Sequence, residues 1–395
     1  LTSRAGSIGM RVVIPNLVAR MRISGWACSG NVDYTASSLT ITSDIFMRVN
    51  ADRSLTTELR NTNATIAGGN INFSCFLGGI ISALIGDVDS TFEEQIEGAL
   101  GGAFGPALSD AFGAFALDFD VPLPSPSGGD PVVVRLFSDW NSADWVVGGG
   151  RLRLRAAAAP RSVATPYTNL GAGARGRCGD GAQQLVIPGT SPLEVVLSDD
   201  LVNQLLHGAW RGGLLELPIP ESMLAGVDLS SYGITDLTLF ASGMLQPHAA
   251  DCGRAPGDGL GLMIGDLRID ADFRLFGIPL SMVVYVSMKA GLELTAASDG
   301  IGISLTDVEQ VDLEVNVLDE DYLSFEPVIE QLLIDNLVPS LTGLLGGDAL
   351  GSFPLPEIDL SAAIDGLPPG TVIRIVPSGV IRADGNSVVQ GELVR

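Results

Sequence analysis

One order of hydrophobic periods occurs twice along this chain, and that repeat limits the fold more than any single motif. From Arg20 to Ser74 apolar and polar residues alternate: Val32, Tyr34 and Ala36, then Leu39 and Ile41, then Ile45, Met47 and Val49. A period of two buries one face of each strand, and turn signals such as Gly68-Gly69-Asn70 make the segment an antiparallel meander. From Phe76 to Phe115 the spacing becomes helical. Ile81, Leu84, Ile85, Val88, Phe92, Ile96, Leu100, Phe104, Leu108, Phe112 and Phe115 form the apolar stripe, with Asp87, Glu93, Glu94, Glu97 and Asp110 at other positions. This predicts one long amphipathic helix, bent near Gly101-Gly102 and Gly105-Pro106. Each interior glycine costs about 1 kcal/mol against alanine, so packing of the stripe must hold the helix. Val121-Pro122-Leu123-Pro124, a strand at Val132–Phe137, a Gly148-Gly149-Gly150 turn and a strand at Arg151–Leu154 follow.

The second half repeats the order. A short helix is predicted at Asp199–Leu215, N-capped by Ser198, with Leu201, Val202, Leu205, Leu206, Ala209 and Trp210 on its apolar face. Strands are predicted at Leu237–Phe240, Leu267–Phe276, Leu280–Met288, Leu292–Thr295 and Val311–Val317. A second long amphipathic helix, from Glu326 to Leu345 with a kink at Pro339, leads to Phe353-Pro354-Leu355-Pro356. Strands at Val372–Val376 and Val388–Val394 flank a turn at Gly385. The Pro-Leu-Pro triplets at 122–124 and 354–356 share their context on both sides, which points to duplication. The chain thus divides into a first domain at 1–155, a linker with a loop excursion at 156–192, and a second domain at 193–395.

Composition narrows the function. Forty-six acidic against 22 basic residues give a net charge of −24, which excludes a polyanion such as nucleic acid as partner. All basic residues but Lys289 are arginines, and with the abundance of Ala, Gly and Asp this reads as a GC-rich bacterial genome. Mean hydropathy is +0.35, yet the longest apolar stretch, Phe76–Val88, is well short of the ~20 residues of a spanning helix. The apolar excess is therefore buried, or lines something apolar. Four widely spaced cysteines, Cys28, Cys75, Cys178 and Cys252, suit two disulfides in an oxidising compartment. The sequence leaves the connectivity open; pairing Cys28 with Cys75 and Cys178 with Cys252 keeps each bridge near one half. The chain begins at Leu1 without a methionine, so a removed leader or a longer precursor is expected.

Reactive chemistry finds little material. A formal G-x-G-x-x-G at Gly171–Gly176 sits in a Pro/Gly-rich linker, where a dinucleotide fingerprint needs a strand before it and a helix after it. His207 and His248 are the only histidines; the first reads as a helix-face residue and the second as an exposed loop residue. No catalytic residue, metal site or cofactor is expected.

Several segments resemble the tubular lipid-binding superfamily, the family of bactericidal/permeability-increasing, lipopolysaccharide-binding and plasma lipid-transfer proteins. Val196-Leu197-Ser198-Asp199-Asp200-Leu201-Val202-Asn203, continuing through Trp210-Arg211-Gly212-Gly213-Leu214-Leu215-Glu216-Leu217, is similar to the opening of that family's second barrel. Pro327-Val328-Ile329-Glu330 through Leu337-Val338-Pro339 to Phe353-Pro354-Leu355-Pro356 resembles the same barrel's long helix and exit. Ile23-Ser24-Gly25-Trp26 and residues 76–115 resemble parts of the first barrel. The resemblance implies an α+β fold of two tandem pseudo-symmetric barrels of curved antiparallel sheet, each with a long amphipathic helix, joined through a central sheet. It implies acyl chains lined by Ile81, Leu84, Ile85, Val88, Phe92 and Ile96 in the first barrel, and by Leu201, Leu205, Leu206, Val328, Leu332, Leu333 and Leu337 in the second. The family carries an extra helix and strand ahead of the segment matching Leu1, so the first barrel is expected to be N-terminally incomplete. Cys28 and Cys75 do not fall where the family's usual disulfide does, and the net charge departs from the cationic tip of its lipopolysaccharide binders. The expected function is a non-enzymatic carrier of phospholipid or another long-chain apolar ligand, at a bacterial cell surface, in the periplasm or secreted, and able to meet a membrane surface. The rival expectation is a structural or adhesive subunit of an extracellular assembly.

Overall fold

The computed structural model describes residues 2–24, 29–73, 88–113, 116–125, 129–167, 187–219, 229–251, 259–297, 300–318, 330, 352–355, 357–359, 370–383 and 385–394. Alternation becomes long strands. Strands β1 (Thr2–Arg4), β2 (Ser7–Ser24), β3 (Ser29–Val49), β4 (Leu55–Ala67) and β5 (Asn70–Phe73) form one antiparallel sheet, ordered β1-β2-β3-β4 with β5 also on β3. The register sets Ile8 opposite Ile45 and Leu39 opposite Ile66, so residues two apart share the buried face. Ile8, Met10, Tyr34, Leu39, Ile41 and Ile45 begin that core, joined by Trp140.

Helix α1 (Val88–Gly113) runs along β4, the last strand of that order, and packs Phe92, Ile96, Leu100, Leu108 and Phe112 on the core. A terminal strand exposes unpaired backbone N–H groups. Here α1 supplies their acceptors: Ile66 N donates to Glu93 Oε1 at 2.7 Å, Ala64 N to Glu97 Oε1 at 2.8 Å and Thr57 N to Ser109 Oγ at 2.7 Å. Two of the glutamates that read from sequence as the helix's polar side are thus partners of the sheet.

Strands β6 (Asp118–Leu123), β7 (Val132–Val146) and β8 (Gly149–Pro160) make a three-stranded sheet. β8 continues through Ala156–Pro160, where the sequence suggested a linker. Strand β9 (Leu193–Ser198) leads directly into helix α2 (Asp199–Arg211). Ser198 caps α2, its Oγ accepting from Leu201 N at 3.3 Å, and the helix stops at Gly212-Gly213, earlier than the Leu215 that periodicity suggests. Strands β10 (Leu217–Ile219), β11 (Ile234–Gly243), β12 (His248–Ala250), β13 (Leu260–Leu275), β14 (Ile278–Ala297), β15 (Gly300–Val317) and β16 (Ser352–Pro354) form a seven-stranded antiparallel sheet. Its order is β10-β11-β13-β14-β15-β16, with β12 beside β13. Strands β17 (Glu357–Asp359), β18 (Val372–Ala383) and β19 (Asn386–Val394) join β9 in a four-stranded sheet.

The contacts divide the chain into two compact units. One comprises Leu1–Ala116, Asp139–Arg155 and Ile358–Val372; the other comprises Leu117–Ser138, Ala156–Glu357 and Ile373–Arg395. The second holds the larger core, built on Leu260, Ile269, Val284, Val286, Leu292 and Ile301 from the seven-stranded sheet, with Val202 and Trp210 from α2.

The expected α+β fold of two barrels, each with its own long helix, is corrected here. Among the described residues the protein is mostly antiparallel β, with one long helix, α1. Closing a barrel requires the first and last strands of a sheet to pair. The strand orders β1 to β4 and β10 to β16 are open paths in which no such pair occurs among the described residues. Alternation specifies which face of a strand is buried and that neighbours pair in sequence; it carries no information on whether the ends meet. The second long helix, expected over residues 326–345, falls almost wholly outside the described residues.

Candidate functional site

Helix α2 is anchored to the sheet of its unit by polar contacts at both ends. Asn203 is 1% exposed and uses its amide as a substitute peptide: Nδ2 donates to Ala249 O at 2.8 Å and to Asp199 O at 3.1 Å, while Oδ1 accepts from Ala249 N at 2.7 Å. It thereby satisfies both backbone groups of Ala249 in β12. At the other end Trp210, 1% exposed, donates Nε1–H to Gly243 O at 2.6 Å. The helix N-terminus carries buried Asp199, whose carboxylate accepts from Arg382 Nη1 at 2.5 Å and Nη2 at 2.6 Å. Arg382 Nη1 also donates to Ser387 Oγ at 2.8 Å. Burial pushes Asp199 above the ordinary carboxylate range, against the opposing pull of Arg382.

Between these anchors lies an apolar cleft. Leu206, Trp210 and Leu215 come from α2 and the turn after it; Leu262, Ile264 and Leu305 come from the sheet. Ala209, Leu214 and Pro247 complete it. The space it encloses is small, about 20 Å³, room for one water-sized group and well below an ordinary small-molecule site. The single polar atom among these side chains, Trp210 Nε1, is already bonded to Gly243, so the lining offers contact to apolar groups alone. Beside the cleft, His207 follows Leu206 and Gln246 precedes Pro247. Their side chains meet, His207 Nδ1 to Gln246 Oε1 at 2.7 Å, and the imidazole tilts over Trp210 with ring centres 5.6 Å apart. Both polar residues are half-buried.

His248 is not the exposed loop residue that its sequence position suggests. It opens β12 half-buried, burial holds its pKa below the ordinary imidazole range, and its Nδ1 has no hydrogen-bond partner among the described residues.

Of the residues that the resemblance assigns to lipid, Leu206 lines the cleft. Leu205 packs instead with Val134, Ala209 and Leu214, and Leu201 is half-buried in the first turn of α2. In the other unit Phe92 stacks on buried Tyr34 with ring centres 4.7 Å apart, Tyr34 Oη donates to Asp89 Oδ1 at 2.6 Å, and Ile96 joins the same core. Phe92 and Ile96 therefore pack against the sheet. Val88 opens α1. Ile81, Leu84, Ile85, Val328, Leu332, Leu333, Leu337 and the four cysteines Cys28, Cys75, Cys178 and Cys252 lie outside the described residues, and the disulfide expectation with them. Leu262, Ile264 and Leu305 were missed as lining because they fall outside the strands expected at Leu267–Phe276 and Val311–Val317, whereas β13 already begins at Leu260 and β15 at Gly300.

No family model matches the chain, and no curated protein matches it. Among solved structures it is similar to a lipopolysaccharide binding protein, at 13% identity and a TM-score of 0.41, over 100% of this chain and 84% of that one. It is also similar to P47 of Clostridium botulinum E1, at 10% identity and a TM-score of 0.25, over 95% and 93% of the two chains. For P47 from Clostridium botulinum A2 the values are 8% identity and a TM-score of 0.26, over 97% and 91%. All three scores are below 0.5, so neither the fold nor the ligand is taken from these likenesses.

Proposed function

We propose that this protein is a non-enzymatic lipid-binding protein of a bacterial surface, periplasmic or extracellular compartment, taking one apolar chain end into the cleft beneath α2. The observation that carries the reading is the cleft itself: apolar side chains throughout, partly open to solvent, and placed beside the His207–Gln246 pair. Each methylene transferred from water into such a site contributes roughly 0.8 kcal/mol. The space, about 20 Å³, takes no more than the terminal methyl group of one chain, and not two chains of a phospholipid. A single-chain amphiphile such as a fatty acid therefore fits best, the end of its tail against Leu206 and Ile264 and its head and the rest of the chain outside the cleft.

Titration with a fluorescent long-chain fatty acid tests this. Saturable binding at one site per chain is expected for the wild type, and loss of that site is expected in Leu206→Trp, whose indole fills the cleft. Equal binding by both proteins, or none by the wild type, overturns the proposal. An obligate oligomer that binds no chain would instead favour a structural subunit.

A further inference from the structure

At one end of the seven-stranded sheet, where β11 begins, β13 turns into β14 and β15 stops, apolar side chains project outward. Leu275 pairs with Ile278, leaving Phe276 and Gly277 as a two-residue hairpin turn. Both are left-handed, with φ of 51° and 85°, as a type I′ turn demands. Asn-Gly is the ordinary occupant of such a turn, because bulky side chains clash in this conformation. Phe276 nevertheless holds the first position and is 74% exposed. Its N–H donates to Gly233 O at 2.8 Å, and one side of its ring lies so close to Gly233 that a Cβ there would come within 3.0 Å of it. Tyr232, next to Gly233, and Ile278, which closes the turn, adjoin it, 52% and 44% exposed, while Leu318, 64% exposed, lies farther along the sheet, its N–H donating to Ser281 O at 3.1 Å. Packing on Gly233 uses one side of the ring, and the rest of it faces water at a strained apex.

We propose that this end of the sheet docks on a zwitterionic phospholipid surface, with Phe276 entering the interfacial layer. Charge selects that partner. The ions at the apex neutralise each other, Arg274 Nε lying 3.3 Å from Asp236, and Arg274 Nη1 also donates to Gly277 O at 3.1 Å. The chain as a whole carries −24, and Asp319-Glu320-Asp321 follows Leu318 in sequence. An anionic bilayer therefore repels the protein, whereas a neutral one accepts the apex. Size disfavours a second copy. Fully exposed aromatic side chains present about 150–250 Å² each, so the partly exposed Phe276, Tyr232 and Ile278 offer roughly 300–400 Å². That is about half of the ~800 Å² per partner in a stable pairing. A lipid interface, by contrast, takes up protruding aromatic side chains individually.

Flotation of the full chain with phosphatidylcholine vesicles tests the proposal, comparing wild type, Phe276→Asn, Phe276→Trp and Leu206→Trp. Asparagine suits the left-handed apex, so F276N is expected to keep or raise the Tm while its vesicle partitioning falls at least tenfold. F276W is expected to float as well as the wild type or better. L206W, which fills the cleft, is expected to float as the wild type does, separating docking from chain binding. Replacing part of the phosphatidylcholine by phosphatidylglycerol is expected to weaken flotation. Any of the following would overturn the proposal: a wild type that does not float, an F276N that floats equally, binding that strengthens with anionic lipid, or a wild-type oligomer that F276N dissociates without any effect on flotation.

Discussion

Removing Glu93 or Glu97 should destabilise the unit that contains α1, although both residues read from sequence as a solvated helix face. Each carboxylate accepts a backbone N–H of β4, at 2.7 Å from Ile66 and 2.8 Å from Ala64, and those residues are 9% and 2% exposed. Truncation to alanine leaves a buried donor without its acceptor, which costs about 1–3 kcal/mol. Glu93→Gln keeps a neutral acceptor and should cost less, because charge-assisted bonds are roughly twice as strong as neutral ones. Glu94 is the control: it sits on the same helix, is exposed, and has no hydrogen bond or ion pair among the described residues. Its alanine variant should stay within about 0.5 kcal/mol of the wild type. Any loss of favourable interaction with the helix dipole applies to Glu94 as well, so the difference isolates the bond to the strand. Urea unfolding followed by tryptophan fluorescence measures this, since Trp140 reports on that unit's core. The expected order of destabilisation is E93A and E97A, then E93Q, then E94A. If E93A and E97A unfold at the same urea concentration as E94A, covering the strand by these carboxylates contributes nothing and the reasoning fails.

Three further outcomes follow from the same contacts. Gly98 in α1 has open space where a Cβ would go, so Gly98→Ala should stabilise by about 1 kcal/mol, whereas Gly208→Ala in α2 places a Cβ 2.9 Å from the buried Val134 side chain and should destabilise by about 1–3 kcal/mol; thermal unfolding distinguishes the two signs. Burial depresses the pKa of His248, so the unfolded chain binds its proton more readily than the folded protein. Stability should therefore fall as pH drops below about 6.5 and through the folded value, and His248→Gln should flatten that part of a stability–pH curve. Arg382→Ala leaves the Asp199 carboxylate buried without its bidentate partner and should cost about 3–5 kcal/mol, checked by urea unfolding.

Local structure was largely readable from the residues. Ser198 marks the start of α2, Gly148 and Gly385 sit left-handed at their turns, and the alternation of Leu39, Ile41, Ile45 and Met47 identifies the buried face of β3. What stayed hidden depends on relations between elements. Glu93 and Glu97 looked solvated because a helical period says which side faces a core and nothing of whether the other side meets a strand edge. Asn203 carries no signal in sequence beyond its place in the Val196–Asn203 segment, yet it completes the hydrogen bonding of Ala249 in β12. Phe276 read as the last residue of a strand, since Phe-Gly lacks the Asn-Gly signal of a hairpin apex. The cleft was half visible: Leu206 and Trp210 stand out on the face of α2, while Ile264 and Leu305 are brought to it only by strand order.

Native mass spectrometry of the full chain, wild type beside Leu206→Trp, tests the central claim most directly. Both proteins are loaded with a long-chain fatty acid and passed through size exclusion before measurement. One acyl adduct per wild-type chain, absent from L206W, is the predicted result. No retained adduct on the wild type, or the same adduct on both proteins, would contradict the assignment of the cleft beneath α2 as the binding site.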